Sequence, residues 1–231
     1  MKMENVLSAK GLAFLLLFSA AVMVADNINF SKALGTENQY FTLFQFMGPI
    51  AGGFLGASAG ALSVLLAEII SFIYLGKAFE LINVLRLAPM LFAAIYFAAY
   101  SKGRFAQAAV PIACMALFML HPVGSQAWQY SLYWLIPAIA LMLPERLFLR
   151  SLGSTFTAHS IGGIIWLYLI PTTPAFWMAL IPIVAFERIL FALGISGSYI
   201  AFNTLFSRFE AAAKSGMVAI DRRYVLMAQK S

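Results

Sequence analysis

Long apolar runs follow one another along most of the chain, and they are separated by short connections that hold most of the charged residues. A helix that crosses the hydrocarbon core of a bilayer needs about 20 predominantly apolar residues, and most of these runs approach that length. Hydrophobic residues occupy 62% of the 231 positions and charged residues only 10%, whereas about 25% of residues are charged in soluble domains. The sequence therefore predicts an all-α integral membrane protein, and it excludes a soluble enzyme, a disordered chain and a nucleic-acid-binding domain.

The number of helices depends on the run at 41–76, whose 36 positions are too many for one ordinary span. Divided at Gly56–Gly60, this run forms two short helices. The remaining apolar runs, which bring the count to eight, are 11–25, 84–100, 105–121, 128–144, 155–171 and 174–195. An even count places every strongly basic segment on one side, as the positive-inside rule requires. We therefore expect a multi-pass protein of the cell membrane with both termini cytoplasmic, a single bundle over 1–206 and a basic tail over 207–231.

The first run, at 11–25, also resembles a secretory signal peptide. Cleavage after Ala25 would place Met23 at the −3 position, which normally holds a small residue, so we expect the segment to be retained as a helix. Small residues spaced four apart let helix backbones approach closely in lipid. Such small residues are Ala9/Ala13, Ala21/Ala25 and the row Gly52, Gly56 and Gly60. They indicate contacts within the bundle or a surface on which another membrane subunit docks.

Glu68 lies in an apolar run, with no other charged residue within eight positions on either side. An ionised carboxylate that faces acyl chains is costly, so this side chain should face the bundle interior. Two interpretations stay open. Glu68 contacts a ligand or an ion, or it forms a structural ion pair with Arg86, which follows Asn83 near the start of the next helix.

His159 lies in another apolar run, close to the Gly162–Gly163 pair. It is either a hydrogen-bonded packing residue or a part of a binding site. A cluster of aromatic and polar side chains, which includes Gln129 and Tyr130, occupies the segment Trp128–Trp134. Tryptophan and tyrosine are enriched at membrane–water interfaces. The cluster therefore predicts an interfacial belt or, alternatively, an aromatic wall for a planar ligand.

A faint internal repeat places a Glu–Arg pair 10 or 11 residues after a tryptophan, at Glu145–Arg146 and at Glu187–Arg188. In the eight-helix arrangement both pairs approach the cytoplasmic face. One interpretation is that each pair ends a short span and extends its side chains to the interface. The other is an ion pair inside the bundle that contacts a cytoplasmic partner.

The sequence holds no motif for hydrolysis or for nucleotide binding. The single cysteine, Cys114, excludes a disulfide within the chain, and two histidines, His121 and His159, are too few for a histidine-built metal site. The only two aspartates lie outside the apolar runs. We therefore expect neither an enzyme nor a protein with a cofactor or a resident metal ion.

The stretch FTLFQFMGPIAGGFLGASAGALSVLLAEII, residues 41–70, combines a Gly–Pro step, a glycine-rich hairpin and an acidic residue toward its end. In this stretch and in the alanine pairs of the first helix, the chain resembles the substrate-binding S components of energy-coupling factor (ECF) transporters. Two features depart from that family. Typical members have six spans, so we expect six to eight here. Members that bind cobalt or nickel have a histidine directly after the initiating methionine, where this chain has Lys2.

The resemblance implies a subunit that captures a vitamin or a related small molecule from the outer face. A transmembrane coupling subunit and ATPase subunits would dock on it. The implied docking residues are Ala9, Ala13, Ala21 and Ala25, with Glu145, Arg146, Glu187 and Arg188 as further candidates. The implied ligand contacts are Asn38, Gln39, Glu68, Asn83, Arg86, Gln129, Tyr130 and Trp134, to which we add His159. Two alternatives stay open: an integral membrane enzyme acting on a lipid, and a structural or assembly protein.

Overall fold

The computed structural model describes residues 20–22, 24–25, 27–32, 40–100, 104–208 and 218–226. Most of these residues are helical, and one short antiparallel hairpin pairs β1 (Asn29–Lys32) with β2 (Tyr40–Thr42). The helices are α1 (Phe44–Leu55), α2 (Ala57–Tyr74), α3 (Leu81–Leu85), α4 (Ala88–Ala99), α5 (Arg104–Leu120), α6 (Pro122–Gln126), α7 (Trp128–Ser131), α8 (Ile136–Met142), α9 (Leu147–Leu169) and α10 (Pro174–Arg208). Short 3-10 turns cover Leu132–Leu135 and Arg222–Tyr224.

Within the described part of the chain, three helical stretches are long and apolar enough to cross a membrane: Ala57–Tyr74, Leu81–Ala99 and Pro174–Arg208. A shorter apolar helix covers Ala106–Leu120. Large apolar side chains are exposed on α2 and α10, among them Leu66, Ile69, Phe186 and Leu193, which suits helices whose solvent is lipid. These findings confirm an all-α protein that is compatible with a membrane. The count of six to eight spans and the cytoplasmic termini remain predictions.

The run at 41–76 divides at Gly56, as the sequence analysis predicts. Gly56 has φ 84°, a left-handed backbone conformation that glycine adopts without steric cost. Beyond it, α2 returns along α1 so closely that a Cβ on Gly60 would lie 2.5 Å from the Cα of Gly52. The glycine row therefore forms helix contacts within the bundle.

The predicted run at 128–144 is helical from Trp128 to Met142, but it is not one regular α-helix. It forms α7, a 3-10 turn and α8, which follow one another without a gap. Proline lacks a backbone N–H and is tolerated in the first turn of a helix, where Pro137 lies in α8. In the 3-10 turn, the Tyr133 hydroxyl donates to the Ile181 carbonyl of α10 at 2.7 Å.

Helix α9 lies at the centre of the bundle and bonds to its neighbours through polar side chains. Ser154 donates to the Ala93 carbonyl at 2.7 Å, and Arg150 Nε donates to the Phe97 carbonyl at 2.5 Å. On the same side of α4, the Tyr96 hydroxyl donates to the Pro137 carbonyl at 2.7 Å. Hydrogen bonds between helices stabilise bundles in lipid, where apolar contacts alone give little preference for protein over solvent.

Helix α10 is 35 residues long, or about 52 Å at 1.5 Å per residue. The apolar run predicted its end near residue 195, but the helix continues to Arg208. Glu187 and Arg188 consequently lie in its middle, and Arg188 is only 3% exposed. The interpretation that this Glu–Arg pair ends a short span is therefore wrong, because the pair lies inside the bundle.

The described part of the predicted tail, 218–226, returns to the bundle. The backbone N–H of Ala219 donates to the Phe54 carbonyl at 2.9 Å, and that of Asp221 donates to Asn203 Oδ1 at 2.8 Å. Arg223 Nη2 lies 2.7 Å from Asp221 Oδ2 and 3.2 Å from Glu145 Oε1, so this guanidinium pairs with both carboxylates. These bonds connect the C-terminal segment to α1, to α10 and to the start of α9.

Asp221 predicts a pH dependence for this C-terminal contact. Its hydrogen bonds with Arg223 hold the pKa of its carboxyl below the ordinary value. A depressed pKa contributes stability above the unfolded-state value, near pH 4, and the contribution disappears as pH falls through the folded-state pKa. Asp221→Asn should therefore lower the stability by about 1 kcal/mol or less at pH 7, and the difference should shrink as the pH falls through the folded-state pKa of Asp221. Thermal unfolding in detergent, at pH 7 and at an acidic pH below about 4, measures the stability difference at each pH. Arg222→Gln is the exposed control. An equal difference at the two pH values would contradict this role of Asp221.

Candidate ligand-binding cavity

A cavity of about 620 Å³ lies inside the bundle, between α2, the α3–α4 segment, α9 and the first half of α10. Its volume falls within the range of small-molecule sites. Ring side chains form much of its wall, including Phe44, Phe72, Trp166, Phe176 and Trp177. Five charged side chains also line it, namely Glu68, Lys77, Arg86, Glu187 and Arg188. An apolar wall with a few polar groups is the usual composition of a ligand site.

The structure brings together many of the ligand contacts that the sequence analysis implies. Five of them, from four separate segments, line the cavity: Glu68, Asn83, Arg86, Tyr130 and His159. Trp134 lies behind the wall and donates its Nε1–H to His159. Gln129 is exposed and is not part of the lining, because α7 turns Tyr130 inward at this point. Asn38 and Gln39 lie outside the described residues.

Some of the implied docking residues lie among the described residues, and the others do not. Ala9 and Ala13 lie outside the described residues, whereas Ala21 is half-buried and Ala25 is buried. Glu145 is bonded to Arg223, and Arg146 is exposed at the start of α9. This pair lies at the opposite end of α9 from the cavity residues of that helix. Docking at all of these residues stays a prediction, and Glu187 and Arg188 line the cavity.

Arg188 is the most enclosed charge in the cavity wall. Its Nη1 donates to Thr155 Oγ1 at 3.3 Å, and its Nη2 lies 3.5 Å from Glu187 Oε2. The guanidinium carbon lies 4.2 Å from the ring centre of Phe191 and 5.2 Å from that of Phe41. Contacts with ring faces are favourable for a guanidinium that is removed from water.

His159 is held in one orientation by two aromatic neighbours. Trp134 donates its Nε1–H to His159 Nδ1 at 3.1 Å, and the Tyr130 hydroxyl lies 2.9 Å from His159 Nε2. Because tryptophan only donates, Nδ1 must accept, so a neutral imidazole carries its hydrogen on Nε2 and donates it to Tyr130. Both nitrogens are thus engaged, and the imidazole positions the aromatic wall.

At the other end of the cavity, Arg86 lies over the ring of Trp166, with its guanidinium carbon 5.5 Å from the ring centre. Asn83 donates to the Ala78 carbonyl at 3.0 Å and so orders the connection between α2 and α3. Glu68 is half-buried on α2 and lines the same cavity as Arg86. Its carboxylate is directed into the bundle, as expected for a charge in an apolar helix.

Sequence reasoning missed Arg188, Glu187, Trp166 and Trp177 as members of the cavity wall. A usable signal exists for Arg188 and Glu187. They interrupt a stretch that has no other charged residue from position 151 to position 207. The argument that directs Glu68 toward the bundle interior applies equally to them. No comparable signal marks the two tryptophans, because apolar side chains are expected on every face of such helices.

Comparison with protein-family models, with curated proteins and with solved structures finds no match for this chain. Among the described residues, no group of three or more His, Cys, Asp and Glu side chains comes together that could hold a metal ion. The chemistry of the cavity is therefore that of its charged and aromatic side chains.

Proposed function

We propose that this chain is the membrane-embedded, substrate-binding subunit of an ECF-type importer, which captures a vitamin or a related small molecule from the outer face of the cell membrane. The observation that carries the proposal is the cavity of about 620 Å³, lined by five charged side chains and an aromatic wall. Charges inside a membrane bundle are costly, and they usually mark substrate or ion pathways.

The position of the cavity supports capture from one face. Its lining comes from the C-terminal half of α2, the start of α4, the C-terminal half of α9 and the N-terminal half of α10. These half-helices meet at one end of the bundle, which the charge distribution of the sequence assigns to the outside. In this proposal, transmembrane coupling and ATPase subunits bind the opposite end and supply the energy of transport.

The alternative is an integral membrane enzyme that acts on a lipid, with Glu68 and His159 at its polar centre. A general base must have a nitrogen or an oxygen available to the proton that it removes. Both ring nitrogens of His159 are engaged by Trp134 and Tyr130. This geometry favours a binding role over a catalytic one.

Identification of co-purified small molecules tests the proposal. The full chain is purified in a mild detergent, and its extract is analysed by mass spectrometry. We expect a polar small molecule at near-stoichiometric amount, and this amount should change at least tenfold in Glu68→Gln, because the substitution removes a charge from the cavity wall. Glu80→Gln is the matched control, since Glu80 is exposed in the connection before α3 and outside the cavity.

The other two functions give different results. A lipid that the purified protein converts to a product would favour the enzyme. Absence of any bound molecule, together with unchanged behaviour of Glu68→Gln and Arg86→Gln, would favour a structural or assembly protein.

A further inference from the structure

Arg188 lies in the cavity wall, well inside the two helices that hold it. It follows Pro174, the first residue of α10, by 14 positions, which is about 21 Å along the helix. Its partner Thr155 precedes Leu169, the last residue of the neighbouring α9, by the same 14 positions. Both helices therefore place this contact about 21 Å from the ends that the connection at 170–173 joins.

The guanidinium of Arg188 has donor capacity that the described protein does not use. An arginine has five N–H donors. Nη1 bonds to Thr155 and Nη2 faces Glu187. No acceptor among the described residues lies within hydrogen-bond distance of the buried Nε. Leaving a buried donor without an acceptor is unfavourable, and more so when the group is charged.

The burial of the lining charges singles out Arg188. Lys77 is exposed and Arg86 is half-buried, whereas Arg188 is only 3% exposed. A buried charge is stable when it is paired and hydrogen-bonded, so an anionic group beside Arg188 would supply an acceptor for its unused Nε–H.

We propose that Arg188 binds an anionic oxygen group of the captured ligand, a carboxylate or a phosphate, in the cavity that it lines. This inference rests on the proposed function and names the chemistry of its substrate. The planar guanidinium fork matches the geometry of carboxylate and phosphate oxygens. The ring faces of Phe191 and Phe41 hold the guanidinium plane, and Trp177 and Trp166 cover the rest of the ligand.

A matched pair of probes tests the role of the charge in the wild-type protein. Nicotinate and nicotinamide differ only in a carboxylate and an amide. Binding to the full chain in nanodiscs is followed by the fluorescence of the tryptophans, two of which lie in the wall. We expect nicotinate to bind at least about tenfold more tightly, because hydrogen bonds to charged groups contribute more than neutral ones. Equal affinity for the two probes, or binding of neither, would overturn the proposal.

Substitutions of Arg188 test whether this side chain causes the preference for nicotinate over nicotinamide. Arg188→Gln should abolish the preference for nicotinate, and Arg188→Lys should keep part of it, since lysine retains the charge but not the planar fork. Arg146→Gln, an exposed position at the opposite end of α9, should keep the whole preference. A full preference in Arg188→Gln would overturn the assignment. The wild-type measurement remains decisive if that variant fails to fold.

The co-purified molecule separates this inference from the proposed function. A bound free small molecule or a bound phospholipid that carries a carboxylate or a phosphate supports the anion site, and mass spectrometry distinguishes the two sources. A bound molecule that is neutral or purely cationic overturns the anion site and leaves the binding function intact. The absence of any bound molecule, with no binding of either probe, overturns both.

Discussion

Replacement of Gly52 by alanine should destabilise the bundle by about 3 kcal/mol, at the upper end of the usual cost of overpacking. A Cβ at this position would lie 1.9 Å from the carbonyl oxygen of Ala94. That oxygen belongs to the backbone of α4, so it cannot move aside as a flexible side chain does. The α1–α4 contact would have to open, and the neighbouring contact with Gly60 would open with it. Chemical or thermal unfolding in detergent micelles measures the loss.

Gly197→Ala is the matched control. It lies on α10, and nothing lies within 4 Å of a Cβ built there. Alanine is favoured over glycine inside a helix by up to about 1 kcal/mol, so this variant should be as stable as the wild type or slightly more stable. Equal destabilisation by the two substitutions would show that the close approach at Gly52 does not determine the packing of α1.

The second large effect is expected for His159→Leu, which should lower the free energy of unfolding by about 3 kcal/mol and weaken ligand retention. Leucine fills a similar volume but offers no acceptor and no donor. Trp134 and Tyr130 are 0% and 2% exposed, so each would keep a buried polar group without its partner, at a cost of about 1–3 kcal/mol per group. Both rings form the wall around His159, and their displacement would deform the cavity.

His159→Gln distinguishes the hydrogen bonds from packing. A glutamine amide can accept from Trp134 through its oxygen and donate to Tyr130 through its nitrogen. His159→Gln should lose less than half of the free energy of unfolding that His159→Leu loses. If both variants lose the same stability, the imidazole acts through its shape and not through its two hydrogen bonds.

Together these contacts explain how a membrane bundle can keep a polar cavity. The glycines let α1 approach α2 and α4 closely, and α9 bonds to α4 through Arg150 and Ser154. Both features lie away from the residues that line the cavity. Close packing there fixes the helices, while charged and aromatic side chains line the space between their other halves.

The sequence by itself determined the all-α class, the compatibility with a membrane and much of the helix pattern. Its apolar content predicts lipid as the solvent, Gly56 divides the run at 41–76, and a carboxylate in an apolar run is expected to face inward. These conclusions follow from local composition, since each charge or backbone group that is exposed to lipid carries its own cost. The same local argument singles out Glu68, Arg86 and His159 as polar residues that need a partner or a ligand.

Only the tertiary structure decided which of these residues meet. Arg188 lies in the cavity wall and not at a helix end as expected, because α10 continues past residue 195. Trp134 and Tyr130 are buried and meet His159 of α9, which lies 25 and 29 positions further along the chain. Apolar periodicity carries little information when lipid and protein interior are equally apolar. The contacting faces are then set by close packing and by a few hydrogen bonds between helices, and these depend on residues far apart in the chain.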